Sequence, residues 1–467
     1  MRGRSRIVVL AGGIVAVLAL GALIDLLVAD VPAARPPAAV EDPLQTHTAF
    51  CPPTLDAGTN RLWAGAGLDE NASVAIGGGK PSNVAAGGLA SASLGRKPVE
   101  VVAYGGRVAA GVATRIGGKA SGVGAAACAA DASTVWHFAE GDTELGNDER
   151  LLVYNPFPEE AVVSVTTSGR DGSKAVSNLA DLPVGSGAAR ILSLNQAVLP
   201  QQPLVATTVE AERGRVVAWR LETIRNESRP RGVQFTLGAP RASTRWFFPD
   251  GDVAEGNEER LLILNPSDRE ATVSISLATR KRPLQLPKLS EIVVAPQSAR
   301  AISISKAAAR EKAPDSLGAI VRSTSGVGIV VERTIWYDSA ETQGVASEVG
   351  ATEPSHAWVV GPTVAAPYTD HISILNPGPQ AATVDIDLGR RGGTINSPDR
   401  LRSIEVPARG RVSVSIVTIS SKSATLATVT SDQPIVVERR SYSRLAGEVA
   451  ASMGVPIELE ESVIAES

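Results

Sequence analysis

Residues 136–165 read WHFAEGDTELGNDERLLVYNPFPEEAVVSV, and the pattern returns twice. From Trp246 the chain reads WFFPDGDVAEGNEERLLILNPSDREATVSI, and from Trp358 it reads WVVGPTVAAPYTDHISILNPGPQAATVDI. Each copy has a Trp, a polar loop, an apolar run closed by Asn-Pro, a short turn and an alternating segment. Asn155, Asn265 and Asn376 follow one another at 110 and 111 residues, a period of domain size and not that of a solenoid. Residues 261–264 form an apolar run that Asn265-Pro266 stops, because Pro cannot donate to a central ladder. Residues 271–277 alternate with period two, which predicts a half-exposed antiparallel strand.

Further strands are expected at 292–294, 301–304, 318–323 and 328–336 in the second copy. In the third they are expected at 372–375, 382–388, 403–406, 411–416, 426–430 and 435–442. Many short strands with turn signals between them predict an all-β protein of tandem immunoglobulin-like β-sandwich repeats, alike in architecture only. The best helix candidate is 306–313, with Ser305 as its cap. The repeats are bounded at 135–243, 244–356 and 357–455, hereafter the first, second and third, and an acidic tail follows at 456–467.

Lys+Arg number 45 against Asp+Glu 49, so no basic footprint points to nucleic acid. Residues 1–6 carry three arginines, and 7–28 are apolar but for Asp25. That stretch is long enough to cross a bilayer, with the basic flank inside and the bulk of the chain outside. The expectation is a single-pass protein of the cell membrane: a cytoplasmic tail 1–6, a signal anchor 7–28 and a Pro/Ala linker 29–50. A cleaved signal peptide is the rival reading. Cys51 and Cys128 both follow the anchor, and a disulfide between them is expected in an oxidising compartment.

Residues 51–134 lack the Trp and Asn-Pro signature. They end on Gly106-Arg107-Val108-Ala109-Ala110 and Gly122-Val123, which match Gly214-Arg215-Val216-Val217-Ala218 and Gly232-Val233. They read as a short, degenerate repeat. The run Gly77-Gly78-Gly79-Lys80-Pro81 is no phosphate loop, because Val74 stands where the first glycine belongs and Pro81 follows the lysine.

The acidic loops are the candidate site. Asp142, Glu144 and Asp148 in the first repeat, and Asp252, Glu255 and Glu258 in the second, could hold calcium through oxygen ligands; the bland alternative is a solvated loop. Glu140, Glu149, Asp250 and Glu259 belong to the same acidic stretches. Apart from calcium no cofactor is expected. Trp136, Trp246 and Trp358 read as core or inter-domain anchors before sugar platforms. Arg220, Arg333 and Arg439 recur in the last strand of each repeat and are expected to hold a loop or a neighbouring carboxylate. The four histidines are scattered, and neither His-Glu-x-x-His nor Gly-x-Ser-x-Gly occurs.

Taken together, Trp246-Phe247-Phe248-Pro249-Asp250-Gly251, Leu264-Asn265-Pro266 and Val331-Glu332-Arg333 make the chain resemble a family of uncharacterised actinobacterial membrane-anchored secreted proteins. The resemblance covers about residues 51–450 and implies a fold without implying an activity. The reading is a non-enzymatic structural or binding protein of the bacterial cell envelope, with an unidentified polymer or protein as partner. A calcium- or carbohydrate-binding module, and an envelope enzyme with a site between repeats, are the alternatives.

Overall fold

The computed structural model describes residues 46–457 except 56–57, 69–70, 118–120, 199–200, 226–227, 340–341, 363–367, 391–392, 394, 397, 418–424 and 444–447. The expected tail 1–6 and anchor 7–28, and most of the acidic tail, lie outside the described residues. Among the described residues no helix is long and apolar enough to cross a membrane.

In the first repeat, Asn147–Tyr154 pairs antiparallel with Ala189–Ser193 and with Val217–Ile224, which pairs with Gly232–Leu237. A second sheet is built on Ala161–Gly169, flanked by Gly172–Ala175, Leu182–Val184 and Ala206–Arg213, with Val135–Phe138 at its edge. Alternation decides what lies between the sheets: Ala161, Val163 and Val165 are buried, while Val162 and Ser164 are half-exposed. The second repeat repeats both sheets around Glu258–Asn265 and Ala271–Ala278. In the third repeat one long strand, Thr425–Ser443, runs through both sheets. The sequence suggested two strands there. The first two repeats break at this point on glycines of positive φ, Gly214 (φ 79°) and Gly326 (φ 74°), and the third has no glycine there.

Two local devices recur. Asn155 Nδ2 donates to Glu159 O (2.6 Å) and Val184 O (3.0 Å), while its Oδ1 accepts from Phe157 N. Asn265 and Asn376 make the same bonds to Arg269 O and Val294 O, and to Gln380 O and Val406 O. Each amide is fully buried, so it ties the Asn-Pro turn to a strand edge with its donors satisfied. The indole N–H groups of Trp136, Trp246 and Trp358 donate to Val216 O, Ile329 O and Ile435 O at 2.6–2.8 Å. Each Trp thereby staples its strand to the strand carrying the arginine of its own repeat.

The short repeat has the same plan, and Cys51 is bonded to Cys128. It begins earlier than the sequence suggested: Thr46–Cys51 is a strand paired with Val99–Tyr104, so the expected linker cannot extend to residue 50. Gly77 and Gly78 make a tight turn of positive φ before Ser82–Val84. The helix of the second repeat is Ile304–Arg310, capped by Ser303 accepting from Lys306 N. Ser305, expected as that cap, instead accepts from Glu259 N at 2.7 Å.

The repeats do not form an open string. Gly122–Ala127 packs on Gly232–Leu237, which packs on Gln343–Val349, which packs on Val449–Met453, and this last strand returns to Gly122–Ala127. The chain from Thr46 onward is therefore one compact unit. The approach is closest at glycines. A Cβ on Gly232 would lie 2.4 Å from Val345 Cγ1, and one on Gly122 2.7 Å from Val233 N. Cavities of about 740 Å³ and 400 Å³ are lined by the two ends of these four strands.

Gly232→Ala is therefore expected to lower stability by about 1–3 kcal/mol in thermal melts through overpacking. Gly185→Ala, whose Cβ meets nothing closer than 3.9 Å, is expected to stay within about 0.5 kcal/mol of the parent.

Candidate functional site

Arg220 lies on Val217–Ile224, two residues before Glu222 and on the same face. It is fully buried between the two sheets. One guanidinium nitrogen donates to Glu140 O, and another pairs with Glu140 Oε2 (2.6 Å) and with Glu332 Oε2 of the second repeat (2.9 Å). Glu332 Oε1 also accepts from Ala139 N at 2.8 Å. Arg333 repeats this one step on. It donates to Asp250 O, pairs with Glu438 of the third repeat, and pairs with Glu348 at 2.6 Å. Glu438 Oε2 accepts from Asp250 N at 3.0 Å. Each arginine thus holds its own repeat's loop and the glutamate of the next repeat.

Strand register shows what replaces this pair elsewhere. Counting from Gly122 and Gly232, Val112 takes the place of Arg220 in the short repeat. Trp219 takes the place of Glu332 and donates to Ala127 O of the short repeat at 3.4 Å, so that junction is apolar. At the closing junction Arg439 bonds Asp370 (2.5 Å), Gly361 O and Thr425 O within its own repeat. The short repeat offers Gly111 in place of a glutamate, and Trp63 fills the space; a Cβ on Gly111 or on Gly361 would strike its ring. Arg115 and Glu448 pair across the same junction at 2.9 Å.

The six calcium candidates do not converge. Asp142 accepts from Glu144 N and lies 3.6 Å from Arg229. Asp148 pairs with Arg150, and Glu258 with Arg260, both at 2.6 Å. Asp252 accepts from Ala254 N and Asn257 Nδ2, and Glu255 is exposed. Among the described residues no three His, Cys, Asp or Glu group as metal ligands.

The other acids of those stretches are all buried, as is Asp142. Glu149 and Glu222 stand opposite each other in the ladder, and Gln234 is opposite Glu222. All three are buried; among the described residues the side-chain oxygens of Glu149 and Gln234 have no hydrogen-bond partner, and Glu222 lies against Glu140. Burial pushes the Glu140 carboxyl up to about 7 against the pull of Arg220. Glu149 and Glu222 are raised well above the usual carboxylate range, again chiefly by burial. Glu140, Glu149 and Glu222 crowd around one arginine, and their mutual repulsion adds to the upward shift. In the second repeat Glu259 is likewise pushed up to about 7. Asp250 is held below its usual range despite burial, because Arg440 (2.8 Å), Arg411 (3.0 Å) and Arg333 surround it. Sequence reasoning passed over Glu222, Arg411 and Arg440. The signal for Glu222 was its period-two spacing from Arg220.

This is an all-β, multi-repeat protein whose charged groups join one repeat to the next. The chain belongs to a family of unknown function (DUF5719), which matches residues 106–249 and 231–448. No curated protein matches it. A solved structure described as Thermotoga maritima 1070 is similar at 19% identity, over 24% of this chain and 95% of its own, with a TM-score of 0.21.

Glu332→Ala is expected to cost about 3–5 kcal/mol in urea unfolding, because it takes one of the two carboxylates from a buried guanidinium. Folded carboxyls of raised pKa keep protons that the unfolded chain has already lost. Stability is thus expected to fall as pH rises from about 5 to about 8, through the values near 7 of Glu140 and Glu259. Urea midpoints across that range check this, and the double substitution Glu149→Gln/Glu222→Gln is expected to flatten the slope.

Proposed function

We propose that the protein is a non-catalytic, extracytoplasmic binding scaffold of the cell envelope, held at the membrane by residues 7–28. The supporting observation is the closure of four repeats through cross-repeat contacts. Arg220 and Arg333 are committed to glutamates of the next repeat, which makes a rigid frame and leaves the surfaces between repeats to meet a partner. The Cys51–Cys128 bond suits an oxidising compartment. The immunoglobulin-like reading of each repeat belongs with this proposal and rests on the two-sheet plan. The partner is an envelope polymer or protein, and nucleic acid is disfavoured by the net charge of −4.

Two fractionations test the reading. Protease added to intact cells is expected to digest the chain from Thr46 onward, and alkaline extraction is expected to leave the undigested full-length chain in the membrane pellet. Protection until the cells are lysed would overturn the extracytoplasmic placement, and release by alkali would overturn the anchor.

A further inference from the structure

Between the first and second repeats lies a groove of about 620 Å³, within the size range of small-ligand sites. Arg170 and Arg229 line it from the first repeat, and Arg260, Arg300 and Trp336 from the second. Glu140 is the one acid in the lining, and it is already paired with Arg220. Arg170, between the strands Ala161–Gly169 and Gly172–Ala175, is exposed and makes no ion pair among the described residues. Arg300 spends one N–H on Val293 O and likewise makes no ion pair among the described residues. Arg260 is paired with Glu258, and Arg229 lies 3.6 Å from Asp142, beyond hydrogen-bond reach.

Trp336 decides the chemistry. It is 4% exposed, and its buried indole N–H has no acceptor among the described residues. The guanidinium carbons of Arg229 and Arg260 lie over its ring, 4.7 Å and 5.1 Å from the centroid. The ring therefore holds guanidinium groups in place and is not offered as a stacking platform for a sugar. The unmet capacity in the groove, the guanidiniums of Arg170 and Arg300, is all donor. A net charge of −4 for the chain means that no general basic excess explains the cluster. Guanidinium forks match carboxylate and phosphate oxygens in a way that neutral ligands cannot.

We propose that this groove binds an oxyanion ligand, a molecule or polymer end group carrying carboxylate or phosphate. Arg170 and Arg300 engage the charge. The proposal deepens the binding-scaffold reading, yet its chemistry does not depend on where the protein resides, so a failed fractionation and a failed titration have separate meanings.

The test is calorimetric titration of the purified full chain at low salt with two probes, pyrophosphate and digalacturonate. At least one is expected to bind with a Kd below about 1 mM and to weaken as salt is raised. Pyrophosphate alone indicates a phosphate source, and digalacturonate alone a carboxylate source. Arg170→Ala/Arg300→Ala, at two exposed positions, is expected to weaken binding about tenfold or more. Arg245→Ala, outside the groove, is expected to leave it unchanged. Absence of binding by both probes, or equal affinity in the double variant, would overturn the proposal.

Discussion

A guanidinium group removed from water must find carboxylates and carbonyl oxygens, or the structure that buries it is not stable. Arg220 and Arg333 are buried to within 1% of full enclosure, and each takes partners both from its own repeat and from the next. The carbonyl comes from the arginine's own loop, at Glu140 or Asp250, and a carboxylate comes from the following repeat, at Glu332 or Glu438. That division of partners turns a series of similar repeats into one body. The same glutamates take a backbone N–H of the preceding repeat, Ala139 or Asp250, so separating the repeats would strand donors and acceptors together.

The two junctions of the short repeat show a different solution to the same geometry. Where the register places Val112 there is no charge to satisfy, and Trp219 covers the contact. Where Arg439 ends the series, Asp370 and two carbonyls of its own repeat satisfy it, and Trp63 fills the space left by two glycines. Apolar packing thus closes the structure at the repeat that lacks the charged signature. Within each full repeat the Trp and Asn staples act locally and are nearly identical three times over.

The first repeat carries more acid than its arginine can balance. Two residues after the arginine stands Glu222, where the second repeat has Ile335 and the third has Ser441. This asymmetry places carboxyls of raised pKa beside the first-to-second junction, next to the groove that gathers four arginines. A frame that spends its buried charges on assembly leaves only peripheral charges free for ligands, and Arg170 and Arg300 are of that kind.

Much of the fold was legible from alternation and turn residues. Ile292–Val294 and Gly318–Ser323 lie where period and punctuation placed them, and Asn155, Asn265 and Asn376 mark the same turn. The acidic stretches stood out, but Asp148 and Glu149 are adjacent, and only the strand's phase sends one toward Arg150 and the other into the core. The sequence by itself determined the repeat, its strands and the residues that staple each one, because those interactions are set by periodicity and by bonds over short separations. Only the tertiary structure decided that Glu332 serves Arg220, that Glu438 serves Arg333, and that the last repeat returns to the short one. The partners in those pairs are more than a hundred residues apart, and the desolvation that makes each pair obligatory exists only once the repeats have closed on one another.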